Sequence, residues 1–222
     1  MKILLTNSQS SLIQTTEQWL GRIHSVDMVK DFLLEENQSK ILMKNADVLI
    51  HSLSDDTETG IKNKLEESME QTYTLLSLCI EMGIKRFLFL GTLDVLNAYD
   101  PDYIVDEMWK PKPTTEMKLL TNHMAEFVCK EFAREHHIDI RVLRLGEICW
   151  ENQSPSNSPL FVIDALQAIQ RAVEIDLPSP SYIPNVPNTW NIFHIQSLTA
   201  NMRFKISKAE DELGYTPQKV EL

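Results

Sequence analysis

Two hydrophobic periods alternate along this chain. Lys2 to Leu5 is a short apolar run and predicts a buried strand. Residues 9–20 place Leu12, Ile13, Trp19 and Leu20 at helical spacing, with Gly21 as the stop. Ile23 to Met28 predicts a second, weaker strand, and Asn37 to Asn45 a short helix. Ala46-Asp-Val-Leu-Ile-His-Ser-Leu reads as a strand that runs into a polar loop, Ser54 to Thr59. Residues 61–82 carry a long helical pattern closed by Gly83. Arg86 to Leu90 is a mostly apolar strand ending at Gly91-Thr92, and a loop with Pro101, Pro111 and Pro113 follows. Residues 115–136 form a second long helix and Ile140 to Leu145 another strand. Strands alternating with helices predict a doubly wound, Rossmann-like α/β domain whose parallel sheet is covered on both faces.

After Trp150 the pattern weakens. Residues 151–159 are rich in Pro and Ser and predict a loop, residues 160–175 a helix, and 178–188 an extended or looped stretch with four prolines. Trp190 to Ile195 has the character of a strand. Ser207 to Pro217 closes with a short helix, where Ser207 and Glu210 fit a capping box. The expected organisation is a domain over residues 1–150 and a reduced C-terminal, substrate-side appendage over 151–222.

Composition narrows the function classes. The 222 residues are 43% hydrophobic and 24% charged, which is ordinary for a globular protein. The net charge of −11 repels phosphate backbones and anionic lipid, so neither nucleic acid nor a membrane surface is an expected partner. No apolar run approaches the ~20 residues of a membrane span, and the N-terminus has too short an apolar core for a signal peptide. Cys79, Cys129 and Cys149 have no paired spacing, so buried thiols and a cytoplasmic location are expected. The His136-His137 pair at a helix end has no carboxylate or thiol repeating at ligand spacing, and no metal is expected.

Several segments carry a family resemblance. Gly83-Ile-Lys-Arg-Phe-Leu-Phe-Leu-Gly-Thr, Met124-Ala-Glu-Phe-Val-Cys-Lys-Glu-Phe-Ala-Arg-Glu and Ile140-Arg-Val-Leu-Arg-Leu-Gly occur in order. Phe161-Val-Ile-Asp-Ala and Glu212-Leu-Gly-Tyr-Thr-Pro follow them. Together these resemble the extended short-chain dehydrogenase/reductase family, the NAD-dependent epimerase/dehydratases. The chain is short for that class. The resemblance implies an NAD(P) cofactor and a two-fold dimer, or a complex with a related subunit, formed through the helices at 61–82 and 115–136.

The departures fall on the chemistry. The family has Gly-x-x-Gly-x-x-Gly between its first strand and helix, where backbone N–H groups approach a dinucleotide pyrophosphate. Here Asn7, Ser10 and Ile13 stand at those positions. Asn tolerates a left-handed backbone, so position 7 is expected to keep its turn. Asp27, twenty residues after Asn7, occupies the expected place for a carboxylate reading ribose hydroxyls, and His51 ends a strand near the presumed crevice. The resemblance assigns a substrate-orienting Ser/Thr to Thr92. Its Tyr general acid/base and Lys sit eight and four residues before a Glu; counted back from Glu126, those positions hold Lys118 and Asn122. Glu147, after Arg144-Leu-Gly, is expected near the cleft. Tyr215 to Lys219 is the one Tyr-x-x-x-Lys in the chain and contains Pro217, so it is no helical pair.

Two functions stay open. One is a catalytically degenerate family member that serves as a ligand-binding, regulatory or scaffold protein, with dinucleotide binding weak or lost. The other is an active NAD(P)-dependent oxidoreductase, epimerase or dehydratase with a rebuilt site, acting on a nucleotide-sugar-like substrate.

Overall fold

Every strand expected in the first 150 residues enters one parallel sheet. The computed structural model describes residues 1–29, 36–53, 61–136, 138–150, 158–177, 189–199 and 202–218. The expected loops at 54–59, most of 151–159 and 178–188 lie outside the described residues, as do His137 and Lys219.

In chain order the elements begin β1 (Lys2–Leu5), α1 (Ser11–Leu20), β2 (Ser25–Met28), α2 (Glu36–Met43), β3 (Val48–Ser52) and α3 (Ile61–Met82). They continue with β4 (Arg86–Thr92), a 3-10 turn (Leu93–Leu96), α4 (Met117–His136), β5 (Asp139–Leu145) and β6 (Glu147–Cys149). Then come β7 (Pro159–Phe161), α5 (Val162–Glu174), β8 (Trp190–Ile195) and a π-helical turn (Ala209–Leu213). The main sheet is six-stranded with order β2-β1-β3-β4-β5-β8. Each described pairing in it is parallel, from Leu4 opposite Asp27 to Arg144 opposite His194.

Side-chain alternation on these strands builds two cores. Ile3, Leu5, Val48, Ile50, Leu143 and Phe193 face α1 and α5, where they meet Ile13, Leu20 and Ile169. Leu4, Leu49, Phe87, Phe89 and Val142 face α3 and α4, where they meet Leu75, Leu76, Cys79, Ala125 and Cys129. All three cysteines are free and buried, and burial pushes the Cys79 and Cys129 thiols up, which keeps them protonated and inert.

Gly83 stops α3 as expected. Its φ of +70° is the left-handed cap, and the Ile84 N–H closes onto the Cys79 carbonyl. The Ser207 capping box does not form in its expected shape, because the Glu210 N–H it would claim is bonded to the Ile206 carbonyl.

The residues beyond 150 share the main sheet. β8 is its sixth strand, α5 covers one face, and Tyr215 is fully buried in the same core. A boundary at residue 150 therefore runs through one sheet and one core. β6 and β7 form a separate two-stranded parallel pair. The motif residue Asp164 accepts hydrogen bonds from the Ser197 hydroxyl and the Gln218 N–H, and the Tyr215 hydroxyl donates to the Gln196 carbonyl at 3.0 Å. The two C-terminal motifs thus meet in space, each tied to the turn that follows β8.

Two arginines fasten the opposite end of the sheet. Arg141, 1% exposed, donates to the Ala172 and Ile175 carbonyls at the C-terminus of α5, and Arg86 donates to Val173 there. Asp139 pairs with both.

Candidate functional site

The sheet order reverses between β1 and β3. In an open parallel sheet, that reversal leaves a crevice at the carboxyl ends of the strands. A cavity of about 830 Å³ lies there. Ser10 and Ser11 enter it from the start of α1, Ser52 and Leu53 from β3, and Leu90, Gly91 and Thr92 from β4. Lys118, Thr121 and Asn122 enter from α4, and Gly146, Glu147 and Trp150 from beyond β5.

Gly146 is needed there. A Cβ on it would lie 2.4 Å from the Ser158 carbonyl oxygen, which accepts the Glu147 N–H. The close approach of β6 and β7 shapes this wall.

Five of the residues picked from sequence converge on the cavity: Ser10, Thr92, Lys118, Asn122 and Glu147. Lys118 and Asn122 are one helical turn apart, and the Asn122 side-chain amide donates to the Lys118 carbonyl at 2.9 Å. Lys118 is exposed and Asn122 half-buried. Thr92 caps the 3-10 turn, its hydroxyl oxygen accepting the Asp94 N–H at 3.2 Å. Glu147 is exposed.

The loop before α1 bears on a dinucleotide directly. Asn7 has φ +59°, the left-handed turn expected of it, and its side-chain amide donates to the Leu53 carbonyl at 2.8 Å. Ser10 is the N-cap with extended backbone, yet its hydroxyl makes no capping bond and lines the cavity beside Gln9 and Ser11. Ile13 is completely buried between α1 and the sheet. Side chains therefore stand at all three positions where the family pattern has glycine.

Asp27 and His51 are placed elsewhere. Asp27 sits one residue before the end of β2, half-exposed, with a carboxylate oxygen 3.8 Å from Lys2 Nζ. His51 is fully buried on the α3 face, between the Thr6 and Thr72 hydroxyls at 2.9 and 3.1 Å. Thr72 gives its proton to the Ser68 carbonyl, so Nε2 of His51 must donate to Thr72 and Nδ1 must accept from Thr6. Burial lowers its pKa to about 3 and holds the ring neutral.

Sequence reasoning passed over Gln9, Lys64, Asp94, Glu116 and Trp150, which also line the cavity. Isolated polar residues at a loop or helix end give no periodic signal. It used Glu126 only as a ruler. Glu126 is buried and forms a two-point ion pair with Arg144, Nε to Oε2 at 3.0 Å and Nη2 to Oε1 at 2.5 Å. The pair joins α4, which carries Lys118 and Asn122, to β5. Tyr215 is buried with its hydroxyl spent on Gln196, away from this site. Among the described residues no cluster of three His, Cys, Asp or Glu is arranged to hold a metal ion, and no helix is long and apolar enough to cross a membrane.

Comparisons with known proteins agree with this geometry. The model of the NAD dependent epimerase/dehydratase family matches residues 6–178. UDP-glucuronic acid 4-epimerase from Bacillus cereus, in complex with NAD, superposes with a TM-score of 0.78 at 16% identity, covering 99% of this chain and 94% of that one. Glucuronic acid dehydrogenase from Chromohalobacter salexigens gives 0.78 at 16% identity, with 98% and 84% covered. UDP-glucose 4-epimerase from Thermotoga maritima gives 0.72 at 15% identity, with 98% and 94% covered. No curated protein matches in sequence. With the family pattern running through more than half its length, on the sheet and crevice described above, the chain belongs to the NAD-dependent epimerase/dehydratase family.

Proposed function

We propose that this chain is a non-catalytic member of its family, a ligand-binding protein that acts as a sensor, regulatory subunit or scaffold. One observation carries the reading. Lys118 and Asn122 stand on the cavity face of α4, where the resemblance places the Tyr general acid/base and its Lys partner. Losing a positioned acid/base typically costs 10²–10⁴ in rate. The loop at Asn7, Ser10 and Ile13 supports the same reading, since side chains there do not fit the glycine cradle that a dinucleotide pyrophosphate needs. A chain that had only changed substrate has no reason to lose that cradle. The cavity is retained, so binding of a small molecule, nucleotide-linked or similar, is the surviving role.

The test is titration of NAD(H) and NADP(H) by calorimetry and thermal shift. At millimolar cofactor the melting temperature should move by no more than about 1 °C, because unoccupied native sites give no mass-action stabilisation. Turnover of nucleotide sugars should be undetectable in the wild type and in the Lys118→Tyr/Asn122→Lys variant. A shift of several degrees, or robust turnover by the unmodified protein with added cofactor, would establish the alternative, an active enzyme with a rebuilt site. Thr92 at the cavity wall favours that alternative.

Assembly belongs to the same proposal. The sequence of the two helices offers Leu75, Leu78, Leu119, Met124 and Phe127 as more apolar surface than one sheet-facing stripe requires, some of it core; Leu75, Leu78 and Leu119, at 0%, 7% and 8% exposed, belong to the core. Met124 and Phe127 do reach the surface on α4, partly and largely exposed, beside the partly exposed Leu120 there and Leu65, Met69 and the exposed Tyr73 on α3. Tyr73 is 59% and Phe127 52% exposed, and Tyr73 meets Phe132 of α4 edge-on at 5.3 Å. A homodimer, or a complex with a related intact subunit, would bury this face. Sedimentation at micromolar concentration should show a dimer that Phe127→Glu converts to monomer; a wild-type monomer would remove the homodimer.

A further inference from the structure

At β8 the main sheet ends against side chains rather than against another strand. β8 is the last strand on its side of the six. The Thr189 and Ile195 carbonyls accept the Ile140 and Gly146 N–H groups, so the odd-numbered residues of β8 turn their backbone groups to β5. Ile192 and His194 therefore turn theirs outward. A row of outward backbone groups on an end strand is a template for pairing with another chain.

Two charged side chains occupy that row. Lys208 Nζ donates to the Ile192 carbonyl at 3.0 Å, and Glu107 Oε1 accepts the His194 N–H at 3.1 Å. Glu107 comes from the connection between β4 and α4, and Lys208 from the segment that follows β8. That segment wraps around the end strand. Phe204 packs with Val105 on the α4 side, where its ring meets His194 edge-on at 5.9 Å. Ile206 and Ala209 enter the core on the α5 side. The crossing is tied to Val105, whose N–H donates to the Arg203 carbonyl and whose carbonyl accepts the Lys205 N–H.

These backbone ties run to Val105, so contact with the outward row of β8 falls to the two long side chains. Both are half-buried, and each feels the charge of the other. Lys208 Nζ also lies over the Phe193 ring at 4.7 Å. Withdrawing charged heads from water is costly unless they are paired and hydrogen-bonded. Residues kept only for solubility would leave those heads in solvent. We propose that Glu107 and Lys208 form a clasp that keeps the outer edge of β8 from pairing with the same edge of a second copy of this chain. The two edges are matched, since an antiparallel, two-fold pairing would join identical rows and continue one six-stranded sheet into the next.

Sedimentation of clasp variants tests this, in the Phe127→Glu background so that the outer face of α3 and α4 does not contribute. Glu107→Ala/Lys208→Ala removes both edge bonds and adds no apolar bulk. At micromolar concentration it should sediment with about twice the mass of its parent. Glu107→Gln/Lys208→Arg keeps an acceptor for His194 and a donor for Ile192, and should match the parent. Hydrogen exchange locates the contact: in the associated variant the Ile192 and His194 amides should exchange at least about tenfold faster on dilution to monomer. Lys208→Ala alone opens half of the row and carries the same test if the double variant does not fold. A folded alanine variant with the mass of its parent overturns the proposal. So does equal association by the conservative pair, or association that leaves the exchange of Ile192 and His194 unchanged. Concentration-dependent protection of those amides in the parent would also overturn it, because the edge would then be open with the clasp in place.

Discussion

Replacing Glu126 with alanine will destabilise this protein more than any substitution lining the cavity. The change strands Arg144, a guanidinium 1% exposed, without its counter-charge. Breaking one side of a buried ion pair typically costs about 3–5 kcal/mol, a large share of the roughly 5–15 kcal/mol that holds a domain together. For a chain of this size that lowers the melting temperature by roughly 10 °C. The double variant Glu126→Leu/Arg144→Met removes both charges together and should recover most of the loss, since an apolar pair of similar volume is often neutral in such a place. Chemical denaturation of the two variants and the wild type decides the matter. A Glu126→Ala protein within about 1 kcal/mol of wild type would show that the pair does not join α4 to β5 as described.

The second large effect is acid sensitivity between pH 6.5 and 5. Burial lowers the pKa of His51 to about 3 and, with repulsion from Arg144 and Lys208, that of His194 to about 3 as well. Both rings stay neutral in the folded protein, while the unfolded chain binds protons below about pH 6.5. Their contribution to stability is therefore complete above pH 6.5, declines as pH falls, and is exhausted near pH 3. At pH 5 the loss is about 2 kcal/mol for each ring and about 4 kcal/mol for the two. Glu107, whose carboxyl is pushed up by burial, acts in the opposite sense: its contribution grows as pH falls toward the usual carboxylate range. Denaturation midpoints at pH 7.5 and 5.0 measure the net effect. In His51→Gln the difference between the two pH values should shrink by about 2 kcal/mol, whatever the variant does to stability at pH 7.5. An unchanged difference would mean that His51 is not held neutral in the folded state.

The sheet was legible because its strands are short apolar runs bounded by polar turns, from Lys2–Leu5 to Asp139–Leu145. Asn7 was legible for a different reason. It is one of the few residues that accept a left-handed backbone, and φ +59° is where the family pattern needs one. β6 and β7 were not legible: three residues each set no period.

Of the apolar residues that α3 and α4 offered, Leu75, Leu78 and Leu119 went to the core while Met124 and Phe127 reached the surface, because both helices are apolar on more than one side. Periodicity alone does not say which side the sheet takes. His51 shows the same limit in a strand. Its position at the end of β3 pointed to the crevice, while the alternation of side chains turned it toward α3 and the Thr72 hydroxyl. The partnership of Glu126 with Arg144 crosses eighteen residues and two elements, and only the packed structure brings the two together.

The place of β8 has a consequence for how the protein is made. On the ribosome the N-terminal strands emerge first, and a nascent chain that has reached the end of α5 holds β1 to β5 without their sixth neighbour. Until β8 arrives, β5 is a sheet edge of seven largely buried residues with its amides and carbonyls open on one side. The closing ties arrive later still, when Ser197 and Gln218 reach Asp164. β5 therefore stays an open, largely apolar edge until Trp190–Ile195 has been made. A truncation upstream of Trp190 should leave that edge unpaired permanently.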